Sequence, residues 1–237
     1  MLRKVLYNNV SKTDKKITSV INMENIKIKS SIKERNKERV VKCALESFIE
    51  FGIEKTKVSD IAKKAELTER SVFRYFDAKS DLVFEAVLLF WENVKNKVTL
   101  KYRQKIGEEI SGIEQVKEVL KAYSEICFTN RQEFVFLHEA ESYLYRVGKS
   151  ELIENKYILS NKTSSNPLEI AIGNGIKDKS IRQDIDLAML YYNTFDSLLG
   201  LIQKIAVSGR TNEEYVEIAR KRLNNFCELT VKAYCSK

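Results

Sequence analysis

The sequence predicts an all-α protein, with an N-terminal three-helix helix-turn-helix unit followed by a larger helical bundle. Three observations predict it. Pro167 is the only proline in 237 residues, and proline is the residue that most firmly interrupts a helix. Apolar residues recur at three- and four-residue intervals along most of the chain, while no useful stretch alternates with the two-residue period of a strand. Charged residues make up 31% of the chain, which suits amphipathic helices with wet outer faces.

Residues 1–30 are rich in Lys, Asn, Ile and Ser without a clean period and read as a flexible basic arm. Met1 and Met23 are both candidate starts. The first helix is expected from Ser31, which has capping-box spacing to Glu34. Val40, Val41, Ala44, Leu45, Phe48 and Ile49 form its apolar face, and Gly52 stands where a left-handed residue would stop it. A short second helix over Val58 to Ala65 turns Val58, Ile61, Ala62 and Ala65 inward. After a break at Glu66-Leu67, Thr68 caps a third helix, Glu69 to Phe76, with Val72 and Phe76 inward at i, i+4. A long fourth helix starts near Lys79, with Leu82, Val83, Ala86, Val87, Phe90, Trp91, Val94 and Val98 on one stripe. Gly107 and Gly112 fall in the expected break after it. Further helices are expected at about 113–129, 131–147, 151–160, 166–178, 184–207 and 212–235. Asn161 to Pro167 reads as a loop, and Ser208-Gly209-Arg210 as a tight connection. Domain boundaries follow at 31–78 for the helix-turn-helix and 79–237 for the bundle.

The net charge of +8 is not evenly spread. Residues 1–80 hold 19 Lys and Arg against 11 Asp and Glu, and residues 81–237 hold 22 of each. A basic module beside a neutral one points the first part toward a polyanion. Two short helices joined by a tight turn within that basic module form a helix-turn-helix pattern, whose second helix enters the major groove of duplex DNA.

The residue order sharpens this. Gly52, Thr56, Val58, Ile61, Ala62, Ala65, Thr68, Ser71, Tyr75, Phe76, Lys79 and Leu82 hold their spacing across three elements, and the segment of about residues 35–85 resembles the tetracycline-repressor (TetR) family. Glu66 departs from the family's turn glycine, Arg70 from a common glycine, Phe73 from a tyrosine and Lys57 from a Ser/Thr cap. The resemblance implies a DNA-binding domain followed by a ligand-binding and dimerisation domain, in a repressor released from a palindromic operator by a small-molecule effector. A DNA-binding regulator without an effector is the alternative.

Side-chain chemistry assigns the expected DNA contacts. Thr68 can serve both as helix cap and phosphate donor. Lys57 and Lys79, at the starts of the second and fourth helices, are candidate phosphate contacts. Glu69, Arg70, Ser71 and Arg74 lie on the exposed side of the third helix, where arginine suits guanine O6/N7 and glutamate accepts from cytosine N4. Phe73 lacks the hydroxyl with which the family's tyrosine would reach phosphate, a contact that Tyr75 or Arg74 is expected to compensate. In the bundle, Tyr123, Phe134, His138, Tyr143, Tyr191 and Phe195 are candidates for an apolar or amphipathic effector, the alternative being an ordinary helical core. The last two helices, about 184–207 and 212–235, carry extended apolar faces expected to form a homodimer interface.

Several classes are not expected. Cys43, Cys127, Cys227 and Cys235 form no CxxC pair and have one histidine, His138, to join them, so no metal site or cofactor is expected and the thiols read as reduced. No nucleophile–base set or phosphate loop argues for an enzyme. Neither a signal peptide nor a run of 18 apolar residues is present, which makes the cytoplasm the expected location and a membrane partner unexpected.

Overall fold

The computed structural model describes residues 32–105, 110–152 and 166–235. Among them, α-helix is the only extended secondary structure, with one isolated antiparallel bridge between Ile181 and Cys235. The helices are α1 (32–51), α2 (Val58–Lys64), α3 (Glu69–Phe73), α4 (Lys79–Lys105), α5 (Gly112–Thr129), α6 (Arg131–Arg146), α7 (Pro167–Lys177), α8 (Leu187–Val207) and α9 (Glu213–Tyr234). The all-α expectation holds, and most boundaries fall close to where periodicity put them.

The differences have local causes. The third helix ends at Phe73, three residues early, because Arg74 to Phe76 close as a turn on the Val72 carbonyl. Gly112, expected in a break, is the first residue of α5 and lies against Gly175 of α7. A Cβ built on Gly112 would sit 1.9 Å from the Gly175 nitrogen, so two glycines let these backbones touch. The Ser31 cap, Gly107 and most of the expected 151–160 helix lie outside the described residues.

The N-terminal unit packs α1, α2, α3 and the start of α4 around Val40, Ala44, Phe48, Ile61, Ala62 and Val72, all at most 1% exposed. Each fully buried valine, isoleucine or phenylalanine among them contributes about 1.5–3 kcal/mol. Gly52 takes φ +82° and donates its N–H to the Phe48 carbonyl at 3.0 Å, ending α1 in the left-handed turn that glycine tolerates best. The buried Thr56 hydroxyl then donates to the Gly52 carbonyl at 2.7 Å and lies 3.3 Å from the Ser47 carbonyl. That clip fixes the α1–α2 connection.

Helix α4, roughly 40 Å long at 1.5 Å per residue, runs from this unit into the bundle. Helix α5 is fastened at its start by a Ser111–Glu114 capping box, by Asp178 accepting from Gly112 N–H and by Ser180 accepting from Ile113 N–H. Arg131 of α6 donates to the Ala206 and Arg210 carbonyls at 2.9 and 2.7 Å, capping the C-terminal end of α8 with a cation, as the helix dipole favours.

Candidate nucleic-acid interface

The reading head is built from α2, its turn and α3. Lys57 is the residue before α2 and contributes no side-chain cap. At Glu66 the backbone takes φ +55°, the left-handed conformation that a glycine would adopt without a Cβ penalty. Leu67 N–H bonds to the Ala62 carbonyl at 2.9 Å and closes the turn. Thr68 caps α3 by accepting from Ser71 N–H at 3.2 Å, and its hydroxyl meets that of Ser71 at 2.9 Å.

A five-residue helix cannot support itself, and this one is pinned by its inner residues. Val72 and Phe76 are buried at 0% and 4%, leaving Glu69, Arg70, Phe73 and Arg74 exposed and Ser71 and Tyr75 half-buried. Phe73 is 45% exposed, unusual for a phenylalanine on so small a domain. Thr68, Glu69, Arg70, Ser71, Phe73 and Arg74 therefore belong to one short accessible segment, with Lys57 exposed at the start of α2.

Lys79 departs from the expectation of a free phosphate contact. Its ammonium donates to the Ile53 carbonyl and lies 5.9 Å from the centre of the Tyr143 ring. Burial holds its pKa below the usual lysine range, with nearby Glu54 opposing that effect. This lysine braces the reading head against the bundle.

A joint missed by the sequence reading surrounds it. Ile53 N–H donates to Glu139 Oε2 at 3.3 Å, so one peptide residue is held from both sides, by Glu139 of α6 and by Lys79 of α4. Arg146 bonds Glu54 at 2.7 Å, and Lys149 bonds Asp81, whose carboxyl is held below the usual range mainly by that lysine. Glu139, Tyr143 and Arg146 are spaced i, i+4, i+7 and share one face of α6. Helical spacing marks that face, but only the fold shows that it meets residues 52–54.

The expected effector residues divide into two groups. Tyr123, Phe134, Tyr191 and Phe195 are all in the interior, at 3%, 1%, 9% and 5% exposure. His138 and Tyr143 are not with them. His138 is exposed on the outer side of α6, and with Tyr143 it lines a surface groove of about 540 Å³ shared with Phe48 and Phe51. Residue spacing on α6 could not separate its inner from its outer aromatics.

The interior group belongs to a run of ring contacts. Phe48 of α1 stacks on Phe136 at 6.1 Å, Phe136 meets Phe90 at 6.4 Å, and Phe90 meets Trp91 edge-on at 4.9 Å. Trp91 lies 5.6 Å from Phe195, which stacks on Tyr191 at 5.8 Å and meets Tyr123 edge-on at 5.7 Å. Asn166 joins the phenols, accepting weakly from Tyr123 at 3.5 Å and donating to Tyr191 at 3.0 Å. Burial pushes both phenols well above the ordinary tyrosine range. An apolar interior with one small polar end thus connects, ring by ring, to α1 of the N-terminal unit.

The final two helices use much of their apolar surface within the chain. Leu190, Thr194, Leu198, Ile202, Leu223 and Cys227 are buried without a partner subunit. The uncovered large apolar residues among the described ones are Met189, Tyr192, Val207, Ile218 and Leu229, at 54%, 37%, 43%, 48% and 58% exposure. No described helix is long and apolar enough to cross a membrane.

Residues 40–86 match the family model described as bacterial regulatory proteins, tetR family. The HTH-type transcriptional repressor KstR2 of Rhodococcus jostii (strain RHA1) is 26% identical over 148 residues, covering 61% of this chain and 67% of that protein. The fold is similar to FadR of Bacillus subtilis in complex with stearoyl-CoA, at a TM-score of 0.58 and 19% identity, covering 82% of this chain and 97% of the other. It is also similar to Thermus thermophilus FadR in complex with lauroyl-CoA, at a TM-score of 0.57 and 14% identity, covering 85% and 96%. Residues 40–86 thus carry a helix-turn-helix domain like that of the tetR family of bacterial regulatory proteins.

Proposed function

We propose that the protein is a dimeric repressor that reads a palindromic operator through α3 and is released by a small apolar or amphipathic effector. The observation that carries the DNA-reading part is the division of α3, whose Val72 and Phe76 neighbours are buried while Arg70 and Arg74 stand exposed. Arginine there suits a guanine edge, and Thr68, Ser71 and Lys57 would take phosphates beside it. Tyr75 is half-buried and contributes at the rim.

The effector part rests on the aromatic interior and the α6 joint. A ligand seated among Tyr123, Phe134, Tyr191 and Phe195 would displace the rings that reach Phe48, and would favour one setting of the reading head over another. The acyl-CoA complexes of the two FadR proteins make acyl-CoA thioesters of different chain length the first compounds to test. Their apolar chain suits the aromatic interior, and the Tyr123–Asn166–Tyr191 polar group suits a carbonyl. A regulator with no effector remains the competing reading.

The test uses an operator fragment and an unrelated duplex. Arg74→Ala is expected to weaken operator binding by about 1–3 kcal/mol and random-duplex binding far less. Lys57→Ala is expected to weaken both alike. Identical behaviour of the two variants on both duplexes would remove base reading by Arg74. Acyl-CoA that raises the melting temperature yet leaves operator binding untouched would argue for the effector-free reading.

A further inference from the structure

We infer that Phe73 of α3 is a specificity-determining residue: its ring meets the 5-methyl group of one thymine in each half-site, so that the operator is read by an apolar contact as well as by arginine. This role rests on the DNA-reading function proposed above and names a base that α3 requires.

The placement of Phe73 is the first observation. It is the last residue of α3 and is 45% exposed. Val72 and Phe76 take the inward positions on either side of it. Phe73 follows Glu69 and Arg70 by four and three residues, the spacing that puts side chains on one helix face. Among the described residues its ring stacks on no other, whereas Tyr75 and Phe76, next along the chain, meet edge-on at 6.4 Å. From Lys57 to Arg74 it is the only exposed apolar side chain. Its accessible neighbours Thr68, Glu69, Arg70 and Arg74 are all polar. The other exposed phenylalanine among the described residues, Phe51, lies away from α3 in the groove beside α6.

The chemistry of the ring selects its partner. A phenyl group has no donor for a phosphate, and the negative face of its π-system opposes an anion. Apolar wedges that part base steps belong to minor-groove binders, whereas the second helix of a helix-turn-helix enters the major groove. The thymine 5-methyl is the apolar group that a base edge presents in that groove, and it marks T·A apart from the other pairs. Ring and methyl lose their water together when they meet, so binding recovers what an exposed ring forgoes in the free protein. The neighbours on the same face suit the other bases, arginine a guanine and glutamate a cytosine. Phenylalanine in place of tyrosine thus exchanges a polar contact, which carries no sequence information when made to a phosphate, for one that does.

The experiment takes the full-length chain and a duplex that it selects from a random pool, and replaces each thymine of one half-site in turn by uracil. That exchange removes the methyl and leaves every hydrogen-bonding group of the base in place. At one position the parent is expected to bind the uracil duplex about fourfold more weakly, the worth of one buried methyl. Phe73→Ala and Phe73→Gln are each expected to bind the thymine and uracil duplexes alike at that position. Lys57→Ala, weakened on every duplex, should keep the fourfold difference. Two Phe73 variants are used so that a folding defect in one leaves the other to decide, and far-ultraviolet circular dichroism of each should match the parent. A parent indifferent to uracil at every position overturns the inference, as does a difference that survives in both Phe73 variants. If the parent selects no sequence from the pool, the DNA-reading function beneath it falls as well.

Discussion

At the residue scale, Glu66 shows how the turn departs from a glycine-based one. Its φ of +55° is strained for any residue with a Cβ, and its side chain has only an exposed, 3.6 Å contact with Arg39 to lose. Glu66→Gly is therefore expected to stabilise the protein by about 0.5–1 kcal/mol, the strain relieved exceeding the flexibility added to the unfolded chain. Thermal unfolding checks this, and a lower melting temperature would mean that the glutamate holds the turn in some other way. Glu141 offers a test with a pH sign. Burial raises its pKa, against a hydrogen bond from Gln203. Its carboxyl binds a proton more tightly folded than unfolded, so the ionised form costs stability above the raised pKa and the cost fades as pH falls toward the unfolded value. Glu141→Gln should melt higher than the parent at pH 7, with the gap closing as the pH is lowered toward about 4.5; a constant gap would point to packing instead. Residue types alone announced the irregular turn, since glutamate stood where a glycine was expected. They gave no hint of the setting of Lys79, because its partners are a carbonyl at Ile53 and a ring at Tyr143, far away in sequence.

At the scale of elements, α3 is a short helix held by its cap and its two buried neighbours. Thr68→Ala removes the acceptor for Ser71 N–H and should cost about 1 kcal/mol. Helix α6 has the opposite character: it is three times as long and fastens other elements. Glu139 and Arg146 tie it to residues 53 and 54. Replacing both, as Glu139→Ala with Arg146→Ala, should speed amide hydrogen exchange in the reading head, residues 40–76, while leaving α5 and α8 protected as before. Uniform acceleration across the chain would show a global loss of stability and no joint. Periodicity located nearly every helix, since an apolar stripe is a property of the element itself. It could not tell which aromatic residues of α6 look inward, because Phe134 and Tyr143 carry similar apolar surface and only the neighbours on each side distinguish them.

At the scale of the molecule, the same limitation governs the dimer. The apolar faces of the last two helices were read from sequence, yet most of their large residues are covered by the chain itself. Met189, Tyr192, Val207, Ile218 and Leu229 are what remain for a second copy, and an apolar face left open in this way is a usual mark of helix-on-helix association. Met189→Asp with Leu229→Asp should convert a dimer to a monomer in sedimentation velocity with a melting temperature close to that of the dilute parent. A dimer that persists would place the interface elsewhere. A two-fold dimer of the proposed kind would set its two copies of α3 about 34–36 Å apart, one turn of DNA. The most direct measurement is selection of bound duplexes from a random pool by the purified full-length chain. The expected result is an inverted repeat, with half-sites spaced by one helical turn, whose enrichment is lost with Arg70→Ala and Arg74→Ala. A pool that stays random, or an enriched sequence without inverted symmetry that binds both variants as well as the parent, would contradict it.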